Sequence, residues 1–245
     1  MNEMTDREPD GLVEPEARRR EPLFNLPTIV VAMIALCVAI HLVRVGLLTS
    51  EQDYGLILRA AFFPARYSGD YVTDIYAFTS PLTASLLHGG WAHLIINMVW
   101  LAIFGSPLAN RIGPVRFLLF WVLTALGADL LHFLARPDEV VPMLCASGAI
   151  AGKMGAAARF CFRIDRSAER PVFSGRRMSI VETLMSRQSV TFLVVWLLIN
   201  VAAGVGFDFG GDGGIAWEAH IGGMLTGFLG ISLFDRAAPR DHPPA

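Results

Sequence analysis

The stretch Leu144-Cys145-Ala146-Ser147-Gly148-Ala149 opens an apolar, glycine-rich segment long enough to cross a membrane as a helix. A second segment of the same kind opens later in the chain with Ala219-His220-Ile221-Gly222-Gly223. A serine hydroxyl becomes an effective nucleophile when a neighbouring base removes its proton, and the near-neutral pKa of an ordinary histidine suits that role. A nucleophile and a base at the heads of two membrane-length helices indicate serine hydrolase chemistry inside a bilayer.

The composition is typical of a membrane protein. Hydrophobic residues make up 53% of the 245 residues and charged residues 17%, whereas soluble domains average about 25% charged. A membrane span needs about 20 mostly apolar residues. Six stretches approach this requirement: Ile29–Leu48, Trp91–Leu108, Val115–Ala135, Leu144–Phe162, Ser189–Phe207 and Trp217–Phe234. We therefore predict an all-α integral membrane protein, a bundle of six transmembrane helices.

Arginine placement predicts the orientation of the spans, because cytoplasmic loops carry an excess of basic residues. One set of loops contains Arg18, Arg19, Arg20, Arg111, Arg116, Arg163, Arg166, Arg170, Arg176, Arg177 and Arg187. The opposite set contains only Arg44, Arg59, Arg66 and Arg136. Both termini are therefore expected in the cytoplasm, and a bacterial inner membrane is the expected location. The second, fourth and sixth spans then run inwards, which puts His93, Asn97, Ser147 and His220 at similar depth in the outer half of the membrane.

The chain divides into a membrane region and two polar ends. Met1–Arg20 is charged and has no apolar core, so it lacks the pattern of a cleavable signal peptide. We expect residues 1–25 to form a disordered cytoplasmic arm and residues 236–245 a short cytoplasmic tail. Residues 26–235 are expected to form the six-helix membrane domain.

Several classes of function and partner are disfavoured by the sequence. No basic face with interleaved aromatic residues is present, so we expect no nucleic-acid partner. The three cysteines Cys37, Cys145 and Cys161 lie in apolar segments and are expected to be buried free thiols. A small six-helix transporter would be expected to show repeated halves or paired ionisable residues, and no internal repeat is found.

Glycine stripes offer a way to bring Ser147 and His220 together. On the fourth span the stripe lies beside Ser147, and on the sixth it lies on the face of His220. The stripes consist of Gly148, Gly152 and Gly155, and of Gly223 and Gly227. Small residues at such spacing let helix backbones approach closely in membranes. In the alternative interpretation both stripes are only packing faces, and Ser147 is one more small residue.

The second span contributes further polar side chains. His93 and Asn97 are four residues apart and share one helix face. An acyl-transfer enzyme needs donors aimed at the developing oxyanion, and the Asn97 amide, a His93 N–H and the backbone N–H of Ser147 are candidates. Metal ligation by His88, His93 and His220 is the competing interpretation. It is disfavoured because no His-Glu-x-x-His pair is present, so we expect no metal and no other cofactor.

Three separate motifs follow one another along the chain. They are His88…His93…Asn97, the pair Ser147-Gly148, and Ala219-His220-x-x-Gly223-x-x-x-Gly227. Over roughly Ile29–Phe234 the chain resembles the rhomboid family of intramembrane serine proteases. The resemblance implies a rhomboid-type bundle in the lipid bilayer that cleaves transmembrane protein substrates without metal or nucleotide.

The resemblance also implies roles for individual residues. Ser147 would be the nucleophile and His220 its general base, a dyad without an acidic third member. His93 and Asn97 would supply oxyanion-hole side chains, and His88 would be a structural residue near the site, as Gly148 is beside the nucleophile. The alternative is a catalytically inactive rhomboid-like protein that binds transmembrane helices without cutting them.

Three positions depart from the family pattern. Cys145 stands where the family has glycine, and the side chain would crowd the turn before the nucleophile. Ala151 replaces an aromatic residue that stacks on the histidine, so another group must orient His220. The first loop reads Tyr76-Ala77-Phe78-Thr79 in place of a Trp-Arg pair.

Other polar residues near the spans also carry expectations. Lys153 lies about 9 Å deeper than Ser147 along a helix and is expected either to reach the cytoplasmic surface or to pair with Asp129. Trp217 is expected to anchor at the membrane interface and Glu218 to be solvated.

Two loops complete the sequence picture. The loop from Thr49 to Gly90 is rich in aromatic residues and is expected partly among lipid headgroups, the alternative being an ordinary solvated loop. The loop from Asp208 to Ala216 carries two glycine pairs and is expected to act as a lid.

Overall fold

The computed structural model describes residues 26–68, 71, 73–144, 146–162, 176–205 and 216–235. The described chain is helical and contains no regular strand. Its α-helices are α1 (Thr28–Gly46), α2 (Ser50–Ala60), α3 (Ile75–Thr83), α4 (Trp91–Trp100), α5 (Ser106–Ile112), α6 (Pro114–Ala135), α7 (Ala146–Ala157), α8 (Ile180–Met185), α9 (Arg187–Val205) and α10 (Trp217–Phe234). The predicted arm at residues 1–25 and tail at residues 236–245 lie outside the described residues, as does most of the predicted lid.

The helices are those of an integral membrane protein. By length and hydropathy, four could cross a bilayer: Thr28–Gly46, Trp91–Ile112, Pro114–Ala135 and Arg187–Gly204. The other two predicted spans are also helical, but α7 has only 12 residues, and α10 carries Glu218 and His220 in its first turn. The all-helical membrane fold is therefore confirmed, while length and composition alone support four crossings within the part of the chain that the structure describes.

The second span is one helix with an irregular middle. A π-helical turn at Leu101–Gly105 joins α4 to α5 and ends two residues before Pro107, which has no backbone N–H to donate. The predicted end at Leu108 is four residues too early, because α5 continues to Ile112. Gly113, with φ 79, then reverses the chain, and Pro114 begins α6.

Helix α7 is the centre of the bundle. Its residues from Gly148 to Ala157 are all buried, and it packs against α6, α10 and α4. Small side chains make this central position possible, since alanine and glycine supply most of the helix. Helix α9 has the opposite character, because only 11% of its membrane-length window is buried and it lies at the edge of the bundle.

The close approach predicted from the glycine stripes is confirmed. A Cβ atom placed on Gly223 would lie 1.9 Å from the carbonyl oxygen of Gly148, and one on Gly227 would lie 1.9 Å from that of Gly152. A Cβ atom on Gly155 would lie 2.2 Å from the carbonyl oxygen of Met224. The backbones of α7 and α10 are therefore in direct contact over two turns.

The region between α1 and α4 is folded onto the bundle. Phe62 is buried and its backbone exchanges hydrogen bonds with Met143 in an antiparallel bridge. Tyr71 and Phe78, in contrast, are exposed, as an interfacial position would require. The aromatic residues of this region thus differ, since Tyr71 and Phe78 are exposed whereas Phe62 is packed against the bundle. The interfacial position expected for part of the loop stays a prediction.

Candidate active site

The structure brings Ser147 and His220 into hydrogen-bonding contact. Ser147 is the second residue of α7 and His220 the fourth residue of α10. The Ser147 Oγ and the His220 Nε2 are 2.6 Å apart. This contact lies at the level of the glycine interface, because Gly148 follows the serine directly and its carbonyl meets Gly223, one turn after the histidine.

The other ring nitrogen of His220 contacts a residue that the sequence analysis did not single out. The His220 Nδ1 is 2.6 Å from the Oδ1 of Asn200, on α9. The amide nitrogen of Asn200 donates to the carbonyl oxygen of Trp196 at 2.8 Å. One signal was available, since an amide inside an apolar span is costly and usually faces an interior site. The sequence did not reveal that this face of α9 meets α10.

His220 is thus oriented without the aromatic ring that the resemblance implies. Ala151 is buried and packs with Met154 and Met224, beside Trp196 of α9. His220 makes no contact with an aromatic ring in the part of the chain that the structure describes. In place of a ring, the Asn200 Oδ1 contacts the imidazole at its Nδ1. Cys145, the other departure beside Ser147, lies outside the described residues.

The two predicted oxyanion donors lie on α4, which packs against α7. The amide nitrogen of Asn97 donates to the carbonyl oxygen of His93 at 3.0 Å, so this amide serves its own helix. The Nδ1 of His93 accepts a weak hydrogen bond from the backbone N–H of Gly89 at 3.4 Å. The amide nitrogen of Asn97 carries a second N–H, which the hydrogen bond to His93 does not use.

His88 is buried in the turn before α4. Its ring contacts that of His93 edge to face, with centroids 5.4 Å apart. Its carbonyl oxygen accepts a hydrogen bond from Arg44 at 2.8 Å, and the same guanidinium pairs with Asp53 at 2.7 Å. Burial, with a smaller effect of His93, lowers the pKa of His88 to about 3, so this imidazole is neutral at physiological pH. These contacts join α1 and α2 to the start of α4.

Lys153 takes neither of its expected positions. Its side chain is completely buried, and its Nζ donates to the carbonyl oxygen of Ala149 at 2.9 Å. The Nζ also lies 3.4 Å from the Thr124 Oγ1 and 4.2 Å from the centre of the Trp121 ring. It does not pair with Asp129, whose Oδ2 is buried without a hydrogen-bond partner among the described residues. The amino group is held by a backbone carbonyl of its own helix and lies over the aromatic ring of Trp121 on α6.

Glu218 is also placed differently from the expectation. It is buried, and its Oε1 accepts a hydrogen bond from the Arg136 Nε at 2.7 Å. The expected solvated charge is therefore wrong, since Arg136 at the end of α6 supplies a partner. Trp217 packs over α9, where a Cβ atom on Gly204 would lie 2.3 Å from the Trp217 Cδ1.

The histidines do not form a metal centre in the described part of the chain. No group of three His, Cys, Asp or Glu side chains there is arranged to hold a metal ion. Both ring nitrogens of His220 are engaged, one by Ser147 and one by Asn200. Cys37 and Cys161 are free thiols.

Comparison with known proteins agrees with this architecture. Residues 77–236 match the model of the rhomboid domain. RHOMBOID-like protein 4 of Arabidopsis thaliana is 30% identical over 148 residues, which are 60% of this chain and 32% of that protein. The rhomboid protease GluP of Bacillus subtilis (strain 168) is 30% identical over 148 residues, 60% of this chain and 24% of GluP. The putative rhomboid protease YdcA of the same organism is 26% identical over 148 residues, 60% of this chain and 63% of YdcA.

The aligned stretch thus covers about a third or less of the first and second of these relatives. The family assignment rests on the domain match, which includes Ser147, His220, His93 and Asn97 and takes in more than half of the chain. This chain, an integral membrane protein, belongs to the rhomboid family.

Proposed function

We propose that the protein is an intramembrane serine endopeptidase that cleaves membrane-anchored protein substrates through Ser147 and His220. The observation that carries the proposal is the 2.6 Å contact between the Ser147 Oγ and the His220 Nε2. A hydroxyl hydrogen-bonded to an imidazole that is itself held by a third group has the arrangement of an activated nucleophile. The similarity to the rhomboid protease GluP supports the same activity.

In the proposed reaction, Ser147 attacks the scissile carbonyl while the His220 Nε2 takes the hydroxyl proton. His220 then donates this proton to the leaving amine, and water hydrolyses the acyl-enzyme with His220 again as the base. The oxyanion would be held by the backbone N–H of Ser147, in the first turn of α7, and by His93 and Asn97. The second N–H of the Asn97 amide would donate to the oxyanion, since the first is bonded to the carbonyl oxygen of His93.

The length of α7 supports a site below the membrane surface. Its 12 residues rise about 18 Å, whereas the hydrocarbon core of a bilayer is about 30 Å thick. A helix this short, with its inner end near the cytoplasmic boundary, begins at a level inside the membrane. We propose six crossings with both termini in the cytoplasm, which opens the site towards the outside of a bacterial inner membrane and gives water access to Ser147.

Labelling with a fluorophosphonate probe tests the proposal. The purified protein in detergent should react with the probe, whereas the Ser147→Ala and His220→Ala variants should not, because the nucleophile or its base is removed. Wild-type protein should also cleave a model transmembrane substrate, and the two variants should leave it intact. Absence of both labelling and cleavage would instead support an inactive rhomboid-like protein that binds transmembrane helices.

A further inference from the structure

Asn200 holds one side of His220 while Ser147 holds the other. The three residues come from three helices, α9, α10 and α7, and the two contacts to the imidazole are both 2.6 Å long. We infer that Asn200 is a positioning residue, which fixes the His220 ring in the tautomer whose Nε2 accepts the proton of Ser147. This inference rests on the proposed function for its catalytic meaning, but the tautomer itself is a property of the folded protein.

The hydrogen bonds determine which way the Asn200 amide faces. A backbone carbonyl oxygen accepts hydrogen bonds and cannot donate them, so the group that faces the carbonyl of Trp196 must be the amide nitrogen. The Oδ1 of Asn200 is then the atom that faces His220, and it can only accept. The His220 Nδ1 must therefore carry a proton.

The same reasoning continues across the ring. A neutral imidazole with a proton on Nδ1 has a lone pair on Nε2. That lone pair faces the Ser147 Oγ at 2.6 Å, so the hydroxyl is the donor. The opposite tautomer would place an N–H against Ser147 and leave the Nδ1 lone pair facing the Asn200 Oδ1, an acceptor against an acceptor. Asn200 therefore selects the form of His220 that acts as a base.

The surroundings strengthen the hydrogen bond between Asn200 and His220 and offer few other groups that could orient the imidazole. Asn200 is buried although α9 is largely exposed, and hydrogen bonds kept from water are stronger. Gly204 lies one turn further along α9, and the ring of Trp217, from α10, packs over it. This contact holds α9 and α10 together close to Asn200. Ala151 supplies no ring against the imidazole. Among the described residues, the orientation of His220 thus depends on Asn200 and Ser147.

A structural role alone would make different predictions. The bond to His220 could simply satisfy a buried amide, in which case its removal would lower stability without changing the tautomer of the histidine. Two variants distinguish these roles. Asn200→Leu keeps a similar side-chain volume but removes the acceptor, whereas Asn200→Asp keeps an acceptor and adds a negative charge. Thr191→Leu, which removes a polar group from an exposed position of the same helix, is the matched control.

The first measurement is the 15N spectrum of the histidine rings in the full chain in detergent. The signal of His220 is identified among the six histidines by its loss in the His220→Gln variant. We expect the Nδ1–H tautomer in wild type and in Thr191→Leu, and its loss as the dominant form in Asn200→Leu. An Nε2–H tautomer in wild type, or no change in Asn200→Leu, would overturn the inference whether or not the protein is a protease.

The second measurement is the rate of fluorophosphonate labelling, corrected for the folded fraction. Asn200→Leu should be labelled about tenfold more slowly, the effect of one lost hydrogen bond. In Asn200→Asp the acid limb of the pH profile should move to higher pH by about one unit or more, since a nearby carboxylate stabilises the imidazolium. A pH profile identical to wild type in Asn200→Asp would count against positioning. Wild-type protein that shows the expected tautomer but no labelling would refute the protease function and leave the tautomer assignment intact.

Discussion

The two sides of α10 are built in different ways. Towards α7, glycine backbones touch, and no side chain lies between Gly148 and Gly223 or between Gly152 and Gly227. Towards α9, the contact consists of side chains, the pair Asn200–His220 and the ring of Trp217 over Gly204. The first interface lies beside the contact between Ser147 and His220, and the second contacts the other ring nitrogen of His220. In the proposed mechanism the first therefore sets the distance between nucleophile and base, and the second the orientation of the base.

The largest effect is expected when the backbone contact is broken. A Gly223→Val substitution places a branched side chain where the carbonyl oxygen of Gly148 lies, so α7 and α10 must separate. Because a displacement of about 1 Å can cost a factor of about 100 in rate, labelling of Ser147 should fall at least 100-fold, with a clear loss of thermal stability.

Gly230→Ala is the control on the same helix. A Cβ atom there would meet the end of the Leu123 side chain at 3.0 Å, and a flexible side chain can move aside. Near-wild-type labelling of Gly223→Val would show that the glycine contact does not determine the distance between Ser147 and His220.

A smaller effect is expected when the side-chain interface is opened. Gly204→Val directs a side chain into the ring of Trp217 and should push α9 away from α10 without touching the contact between α7 and α10. Labelling should fall about tenfold, as in Asn200→Leu, because the same hydrogen bond is lost.

The combined variant sharpens this test. This variant carries both Gly204→Val and Asn200→Leu. If both substitutions act through the contact between Asn200 and His220, the double variant should be labelled no more slowly than either single variant. Multiplied effects would mean that Gly204 and Asn200 act independently, and the second interface would then have more than one function.

The smallest effect is expected for the coupling between two buried polar side chains that lie in neither the α7–α10 nor the α9–α10 interface. Lys153 of α7 and Asp129 of α6 are both buried but have different surroundings and form no ion pair with each other. The effects of Lys153→Met and Asp129→Asn on the free energy of unfolding should therefore add to within about 0.5 kcal/mol. Thermal or denaturant unfolding of the two single variants and the double variant in detergent measures this. Coupling well above that value would show that the two charges interact.

The sequence predicted contacts between helix backbones better than contacts between side chains. The glycine stripes predicted the interface between α7 and α10. Small residues three or four positions apart lie on one face of a helix, and on that face they let a second backbone come close. Hydropathy predicted where the membrane helices lie, because apolar length is a local property of the chain.

Contacts made by side chains between distant helices were harder to predict. Asn200 was missed, and Lys153 and Glu218 were assigned the wrong surroundings. Sequence gives the depth of a residue in the membrane, but which neighbouring helix it meets depends on how the bundle packs. Trp121, beside Lys153, lies on α6, and Arg136, the partner of Glu218, follows its last residue. No local pattern fixes the rotation of this helix about its axis.

Lys153 has a consequence for how the protein is made. A lysine near the middle of a lipid-exposed helix costs about 2.5–3.5 kcal/mol on insertion scales, and the small residues of α7 offset little of this cost. The carbonyl and the rings around its amino group come from α7 and α6. The glycine face of α7 is covered by α10, which follows α7 in the chain. We therefore expect chains truncated before Trp217 to insert α7 poorly. During biosynthesis, the segment that carries Ser147 would become stable in the bilayer only when the segment that carries His220 arrives.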